Sequence, residues 1–187
     1  RICADYQQHH FAVLGPQILS KDQKVISLME PIAPRAVYIV HRWLIQCQLV
    51  LCRFIPGFFD AVDAAKNCVG KLRKPKKQAP TAGESKLQPQ KDIMLRGCFW
   101  IFSPDYVERF DGLDDRTFLY REEQLLFIRL KKNGLHTYYD PELKIIHLED
   151  AATNAVAKTE FKKRVFTLQN EVKSMKILID ALKDYQG

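Results

Sequence analysis

Two adjacent glutamates are the side chains of this sequence best suited to acid–base chemistry. Glu122 and Glu123 precede an apolar stretch with helical spacing, so we expect them in the first turn of a helix. Acids in that position commonly serve only to stabilise the helix dipole. Repulsion and partial burial can instead raise the pKa of one of two neighbouring carboxylates, which then takes a proton from an alcohol. From these residues alone both interpretations stay open.

One histidine also lies in a suggestive position. His147 ends an apolar strand pattern and is followed by Glu149 and Asp150. A lone histidine there is usually structural, but its imidazole would suit a divalent metal carried by a phosphate-bearing substrate. The sequence contains no phosphate-binding glycine-rich loop, zinc signature or nucleophile elbow.

The elements that would position these residues lie between Ile93 and His147. The pattern predicts a strand containing Gly97, a short helix, the helix that begins at the acid pair and ends at Gly134, and two further short strands. Their predicted bounds are Leu95–Phe102 for the first strand, Pro104–Phe110 for the short helix, and Thr137–Tyr139 and Leu143–His147 for the last two strands, with an Asp140-Pro141 turn between them.

The N-terminal third predicts a strand and one long apolar helix. Residues 11–19 predict a buried strand that runs into a turn at Gly15-Pro16. In the apolar stretch 36–59, helical spacing puts Arg42, Gln46 and Arg53 on one narrow face. Its longest uncharged run, residues 43–52, is half of the roughly 20 residues needed to span a bilayer. The helix suits either a membrane surface or a protein core or dimer interface.

The net charge of +7 is concentrated in one segment. Residues 66–91 carry eight Lys/Arg against one Asp/Glu, whereas residues 1–65 are +1 and residues 92–187 are −1. This proline-containing segment is typical of a solvated linker, and it lacks the interleaved aromatics of a nucleic-acid site. The five cysteines form no Cys-x-x-Cys pair, which favours a reducing cytoplasm over a disulfide framework.

The C-terminal tail predicts one amphipathic helix. Apolar residues recur at alternating spacings of four and three, and we expect them to pack against the same domain rather than in an intermolecular coiled coil. These positions are Phe161, Val165, Leu168, Val172, Met175, Ile179 and Leu182.

Five motifs in register carry a resemblance to a known family. They are Leu95-Arg96-Gly97-Cys98-Phe99-Trp100-Ile101-Phe102-Ser103-Pro104; Phe110-Asp111-Gly112-Leu113-Asp114 with Thr117-Phe118-Leu119-Tyr120-Arg121-Glu122-Glu123; Arg129-Leu130-Lys131-Lys132-Asn133-Gly134; Tyr139-Asp140-Pro141; and Ile146-His147-Leu148-Glu149-Asp150. In order and spacing this pattern resembles the C-terminal, acceptor-side half of bacterial family 2 glycosyltransferases of capsule, lipopolysaccharide and exopolysaccharide synthesis.

The resemblance implies an α/β fold, namely the C-terminal part of a GT-A, Rossmann-like mixed-sheet domain. The apolar amphipathic helix would be an insertion, and a second amphipathic helix would end the chain. The expected segments are the end of the nucleotide-sugar half (1–34), the helical insert (35–65), a basic flexible linker (66–92), the acceptor-side catalytic segment (93–157) and the C-terminal helix (158–187).

The resemblance also implies roles for individual residues. Glu123 would be the base that deprotonates the acceptor hydroxyl, and Glu122 would orient it or share the proton. Gly97 and Cys98 would line the sugar pocket, and Asp114 would also contact substrate. Glu stands where Asp is common in the second acid position, which leaves the choice of base between Glu122 and Glu123 open.

The implied cofactor is a divalent metal, Mn²⁺ or Mg²⁺, and His147 would help to bind it or the diphosphate leaving group. The family's nucleotide-binding strands and Asp-x-Asp motif have no counterpart before Phe11, so we expect this chain to be inactive alone. Ala152 stands where the family frequently has serine.

The implied reaction is inverting transfer of a sugar from a nucleotide-sugar donor to a lipid-linked or polysaccharide acceptor. We expect a cytoplasmic enzyme, peripheral at the inner face of the cell membrane, with an anionic membrane surface as partner and no nucleic acid. The sequence does not predict the oligomeric state. The alternative hypothesis is a non-catalytic module that binds a membrane surface or a protein partner.

Overall fold

The protein is a mixed α/β structure with a four-stranded open sheet. The computed structural model describes residues 1–55, 57–72, 88–148 and 159–185. In chain order the elements are α1 (Ile2–His9), β1 (Val13–Leu19), α2 (Arg35–Phe54), α3 (Phe58–Leu72), β2 (Gln90–Lys91), β3 (Ile101–Phe102), α4 (Pro104–Arg109), α5 (Glu122–Lys132), β4 (Thr137–Ile146), α6 (Glu160–Ala181) and a 3-10 turn, Leu182–Asp184.

The sheet has the order β2-β4-β1-β3. Strand β1 pairs in parallel with β4 and antiparallel with β3, and β2 pairs antiparallel with β4. Six of the seven residues of β1 are buried, which explains why residues 11–19 form an almost continuous apolar run. The prediction of a buried strand here is confirmed.

The turns predicted at Gly15-Pro16 and Asp140-Pro141 are not formed as chain turns. They meet in a single register shift between the paired strands β1 and β4. Between Pro16 and Gln17 the partner on β4 jumps from Asp140 to Lys144, so β1 and β4 both continue through it. Proline has no backbone N–H, and it is tolerated at such a bulge because the ladder of hydrogen bonds is interrupted there. The Asp140 carboxylate accepts the backbone N–H of Glu142 at 2.9 Å and shapes the bulge. The predicted strands 137–139 and 143–147 are therefore a single strand.

The strand predicted at Leu95–Phe102 is shorter than expected. Only Ile101 and Phe102 pair with β1, whereas Leu95 forms an isolated bridge with Leu28. Residues between these two points, including Gly97, take a path outside the ladder. They are thereby free to contact α5.

Helix α5 lies between two apolar clusters. Leu126 and Leu130 pack under the sheet with Val13, Tyr106 and Tyr139. On its other side, α5 meets α2 and α6. The residues of this second cluster are Tyr38, Ile45, Leu125, Ile128, Met175, Leu178 and Leu182. Contact with both clusters fixes the orientation of α5.

The predicted helices around Pro104, Glu122 and the tail are present. Gly134 follows α5 with a φ of 65°, as expected for a residue that ends a helix. The apolar stripe of α6 packs against its own chain. The helix begins at Glu160 because the Thr159 side chain accepts the backbone N–H of Lys162.

Helix α3 extends to Leu72, so the first seven residues of the segment predicted as linker are helical. At the C-terminal end of the segment predicted as linker, Gln90 and Lys91 form β2. Residues 73–87 lie outside the described part of the chain. In the residues that are described, no helix combines the length and the apolar character needed to cross a membrane.

Candidate functional site

The acid pair forms the first turn of α5, as predicted. The residue before this helix, Arg121, makes no side-chain cap hydrogen bond, and a backbone N–H of the first turn donates to the Glu122 carboxylate. The helix dipole favours negative charge there. Both glutamates are partly exposed. They combine solvent access with a fixed backbone.

The structure brings Glu123 against Gly97. The backbone N–H of Gly97 donates to Glu123 Oε1 at 3.2 Å, across 26 residues of sequence. A Cβ on residue 97 would lie 2.7 Å from Oε1 and 3.1 Å from both Cγ and Cδ of Glu123. Only glycine leaves room for this carboxylate. The glycine that the sequence pattern assigned to a sugar pocket therefore positions the second acid of the pair.

The surroundings of Glu122 change the pKa of its carboxyl. Burial raises the pKa of the Glu122 carboxyl above its usual range, and the negative charge of Glu123 adds to the rise. A backbone hydrogen bond and the charge of Arg121 act in the opposite direction. A carboxylate with a raised pKa is a stronger proton acceptor than an ordinary glutamate. This is the behaviour expected of a general base or of its proton-sharing partner.

Cys98 lies next to this pair. The residue is exposed, but local desolvation raises the pKa of its thiol, and the charge of Glu123 raises it further against the opposing effect of Arg96. At neutral pH the side chain is therefore a neutral thiol. It can line a pocket, but its environment does not activate it as a nucleophile.

A strained turn precedes the acid pair. Tyr120 and Arg121 both have left-handed backbone conformations, with φ of 70° and 75°. Such conformations cost non-glycine residues on the order of 1–3 kcal/mol each, and they persist only where the surroundings enforce them. Arg121 forms an ion pair with Glu171 of α6, and its guanidinium lies 5.7 Å from the centre of the Tyr38 ring.

Two hydrogen bonds also hold this turn on α6. The Tyr120 hydroxyl donates to Thr167 Oγ1 at 3.2 Å. Ser174 Oγ donates to the carbonyl oxygen of Leu119 at 2.7 Å, and Ser174 is 2% exposed. Sequence reasoning missed these positioning contacts. The only available signal was Arg121 directly before the two acids, and nothing local identifies its partners on α6.

Trp100 is a further neighbour that sequence reasoning did not assign. It lines a cavity of about 10 Å³ together with Glu123, Leu95 and Leu126. Its indole N–H is buried and has no hydrogen-bond partner in the described part of the molecule. The Trp100 ring therefore lies on the same small cavity as the Glu123 side chain.

The structure places Asp114 apart from the acid pair. Its carboxylate binds Arg116, and it lines a surface cavity with Arg129 and Lys132 from the C-terminal half of α5. The hydrogen bond from Arg116 lowers the pKa of Asp114. Leu125 and Ile128 of α5 also line this cavity. No hydrogen bond or ion pair within the described residues joins the Asp114 carboxylate to Gly97 or to the acid pair, and its substrate-binding role stays a prediction.

His147 directly follows β4. Its backbone N–H donates to the carbonyl oxygen of Leu19 at 2.9 Å, and within the described residues no hydrogen bond or ion pair joins its imidazole to the acid pair. Glu149 and Asp150, predicted beside it, lie outside those residues. Residues 1–55, 57–72, 88–148 and 159–185 contain no group of three or more His, Cys, Asp or Glu placed to hold a metal. One imidazole is too few ligands for Mn²⁺ or Mg²⁺.

The site that the structure assembles thus comprises Gly97, Cys98, Glu122 and Glu123, supported by Trp100 and by the turn at Tyr120 and Arg121. It can hold two carboxylates in a fixed, partly solvated place, and burial raises the pKa of the Glu122 carboxyl. Comparison of the chain with protein-family models, with curated proteins and with solved structures found no match. Assignment to a family is therefore a proposal that depends on the residue pattern and on this geometry.

Proposed function

We propose that this chain is the acceptor-side part of an inverting glycosyltransferase of the family 2, GT-A type. The observation that carries the proposal is the Glu123 carboxylate seated on the Gly97 backbone with Glu122 beside it. A general base must be held within hydrogen-bond reach of the proton that it removes, and a fixed carboxylate meets this requirement. The raised pKa of Glu122 supports a proton-accepting or proton-sharing role for this second carboxyl.

In the proposed reaction, one carboxylate of the pair removes the proton from an acceptor hydroxyl. The hydroxyl oxygen forms a bond to the anomeric carbon of a nucleotide-sugar on the face opposite the leaving group. The bond between that carbon and the phosphate oxygen breaks, and the nucleotide diphosphate leaves with the electron pair. A single displacement of this kind inverts the anomeric centre. Gly97 and Cys98 would line the sugar pocket.

The proposed acceptor is a lipid-linked or polysaccharide hydroxyl, and the proposed location is the cytoplasmic face of a bacterial cell membrane. Mn²⁺ or Mg²⁺ would stabilise charge on the leaving diphosphate. The described residues offer His147 alone towards such an ion, so we derive no step through it.

The test measures nucleotide diphosphate release by the protein that contains this chain, with a panel of nucleotide-sugars and a lipid-linked acceptor. Glu123→Gln and Glu122→Gln are compared with Glu108→Gln, an exposed glutamate on α4. A general base contributes about 10²–10⁴-fold, so we expect a loss of at least 10²-fold in one acid-pair variant and no loss in the control. Full turnover in both acid-pair variants, at an unchanged melting temperature, would refute the base assignment.

A further inference from the structure

Helix α2 buries only one narrow side. Tyr38, Ile45 and Cys52 are its buried residues, and Tyr38 and Ile45 pack in the cluster shared with α5 and α6. Arg42, Cys47, Gln48 and Leu49 are half-buried, and the other residues of the helix are exposed in the described structure. Phe54 is 77% exposed, Trp43 is 61% exposed and Val40 is 56% exposed.

The uncovered side forms one continuous apolar surface, which we call the outward face of α2. At 100° per residue it covers about 160° of the helix circumference opposite the buried side, and over 20 residues it is about 30 Å long. It contains no charged or amide side chain. Its residues are Ala36, Val37, Ile39, Val40, Trp43, Leu44, Cys47, Val50, Leu51 and Phe54.

The cations of α2 lie at the edge between these two sides. Arg35 and Arg42 donate from Nε to carbonyl oxygens of α6, those of Ile179 at 3.0 Å and Val172 at 3.2 Å. Within the described residues neither these two nor Arg53 forms an ion pair, although the charge of Arg35 acts on the Asp180 carboxylate of α6. The outward face is thus bordered by positive charge and is free of it.

The charge of the surrounding sequence indicates what covers this face. Residues 31–91 contain eleven Lys/Arg and three Asp/Glu, a net charge of +8, whereas the rest of the chain has a net charge of −1. A second copy of the chain would bring the same positive charge against itself. A bilayer that contains anionic lipid offers an apolar phase for the outward face and negative headgroups for the cations, and Trp and Phe are favoured at that boundary.

We propose that α2 lies in the plane of an anionic membrane surface, with its outward face in the boundary between headgroups and acyl chains. This inference rests on the membrane location proposed above and is independent of the transfer chemistry. It names the contact surface, which begins at Ala36 and ends at Phe54, and the lipid chemistry that the surface recognises.

The test uses Trp43 as its reporter. The chain has two tryptophans, so Trp100→Phe leaves Trp43 as the only tryptophan in the full chain, and excitation at the red edge of the absorption band avoids the tyrosines. Vesicles of phosphatidylcholine are compared with vesicles that contain about 30% phosphatidylglycerol. We expect a blue shift of Trp43 emission and co-sedimentation with the anionic vesicles only. Binding should fall at least tenfold between about 0.05 M and about 0.5 M salt.

A matched pair of variants locates the contact. Val40→Glu puts a charge at the centre of the outward face, and Gln46→Glu puts the same charge at the edge. We expect Val40→Glu to weaken vesicle binding at least tenfold and Gln46→Glu to weaken it less than threefold. Because both side chains are exposed, we expect both variants to fold, and a circular dichroism melting curve unchanged from the parent verifies this.

Three results would overturn the proposal. They are failure to bind anionic vesicles at low salt, equal binding to neutral vesicles, and equal effects of the two variants. A dimer in sedimentation that Val40→Glu dissociates, without vesicle binding, would instead identify the outward face as a contact between copies. The vesicle assay contains neither donor nor acceptor, so its failure is distinguishable from failure of the transfer assay.

Discussion

Gly97→Ala tests the contact that defines the candidate site. The new methyl group would lie 2.7 Å from Glu123 Oε1, so the carboxylate must withdraw by about 0.7 Å to reach ordinary contact at 3.4 Å. Backbone strain does not interfere, because Gly97 has no left-handed φ. The substitution therefore acts almost entirely through Glu123.

The cost of this withdrawal has two parts. Rotating Glu123 away from a favoured rotamer costs about 0.5–1.5 kcal/mol. Losing the hydrogen bond from the Gly97 N–H removes about 0.5–1.5 kcal/mol more. Replacing glycine also stiffens the unfolded chain, which returns about 0.4–1 kcal/mol. The net effect on the free energy of unfolding is thus small, and the coupling between the two positions is the informative quantity.

We expect a coupling of about 1–3 kcal/mol between Gly97→Ala and Glu123→Ala in a double-mutant cycle, because both parts of the cost depend on Glu123. In the Glu123→Ala background the clash is gone, so Gly97→Ala should no longer destabilise the protein. Urea unfolding followed by circular dichroism gives the four free energies. Gly112→Ala is the control for coupling: its φ of 127° makes the substitution costly by backbone strain, but a Cβ there meets nothing within 4 Å, so this cost should not depend on Glu123.

A coupling below about 0.5 kcal/mol would show that Glu123 does not occupy the space above Gly97, and the site geometry would be wrong. In the transfer assay the displaced carboxylate should lower turnover about 10–100-fold, because a misplacement near 1 Å costs about that much. If the coupling is measurable but turnover is unchanged, the contact between Glu123 and Gly97 exists but has no role in catalysis.

Two further substitutions test the surroundings of the acid pair. Since the pKa of Glu122 is raised in the folded protein, the folded state binds more protons, and stability falls as the pH rises from the unfolded carboxyl pKa through the higher folded value. Glu122→Gln should therefore be at least as stable as the parent at pH 7, with the difference vanishing below about pH 4. Thermal unfolding across pH measures this, and a variant less stable at pH 7 would contradict it. Ser174→Ala removes the hydrogen bond to the Leu119 carbonyl and should cost about 1 kcal/mol, seen as a melting temperature about 2–4 °C lower. An unchanged melting temperature would show that this bond does not anchor the turn.

The local pattern predicted the helix that begins at Glu122, because acids in a first turn, apolar spacing and a closing glycine are all short-range signals. It also predicted β1 and the packing stripe of α6. The prediction of two strands separated at Asp140 was wrong, because the dipeptide Asp140-Pro141 by itself indicates a turn. Parallel pairing with β1 carries the strand through this point as a bulge.

The sequence by itself determined that two acids stand at the start of α5 and that the segments of α2, α4, α5 and α6 are helical, whereas it predicted neither α1 nor the C-terminal end of α3. Tertiary structure decided that Glu123 meets Gly97, whereas the Asp114 carboxylate binds Arg116. It also decided which side of α2 faces outward, since a helix with apolar residues on most of its circumference can bury any of them. Periodicity places side chains around a single element, whereas the partner of each face depends on contacts between segments distant in sequence.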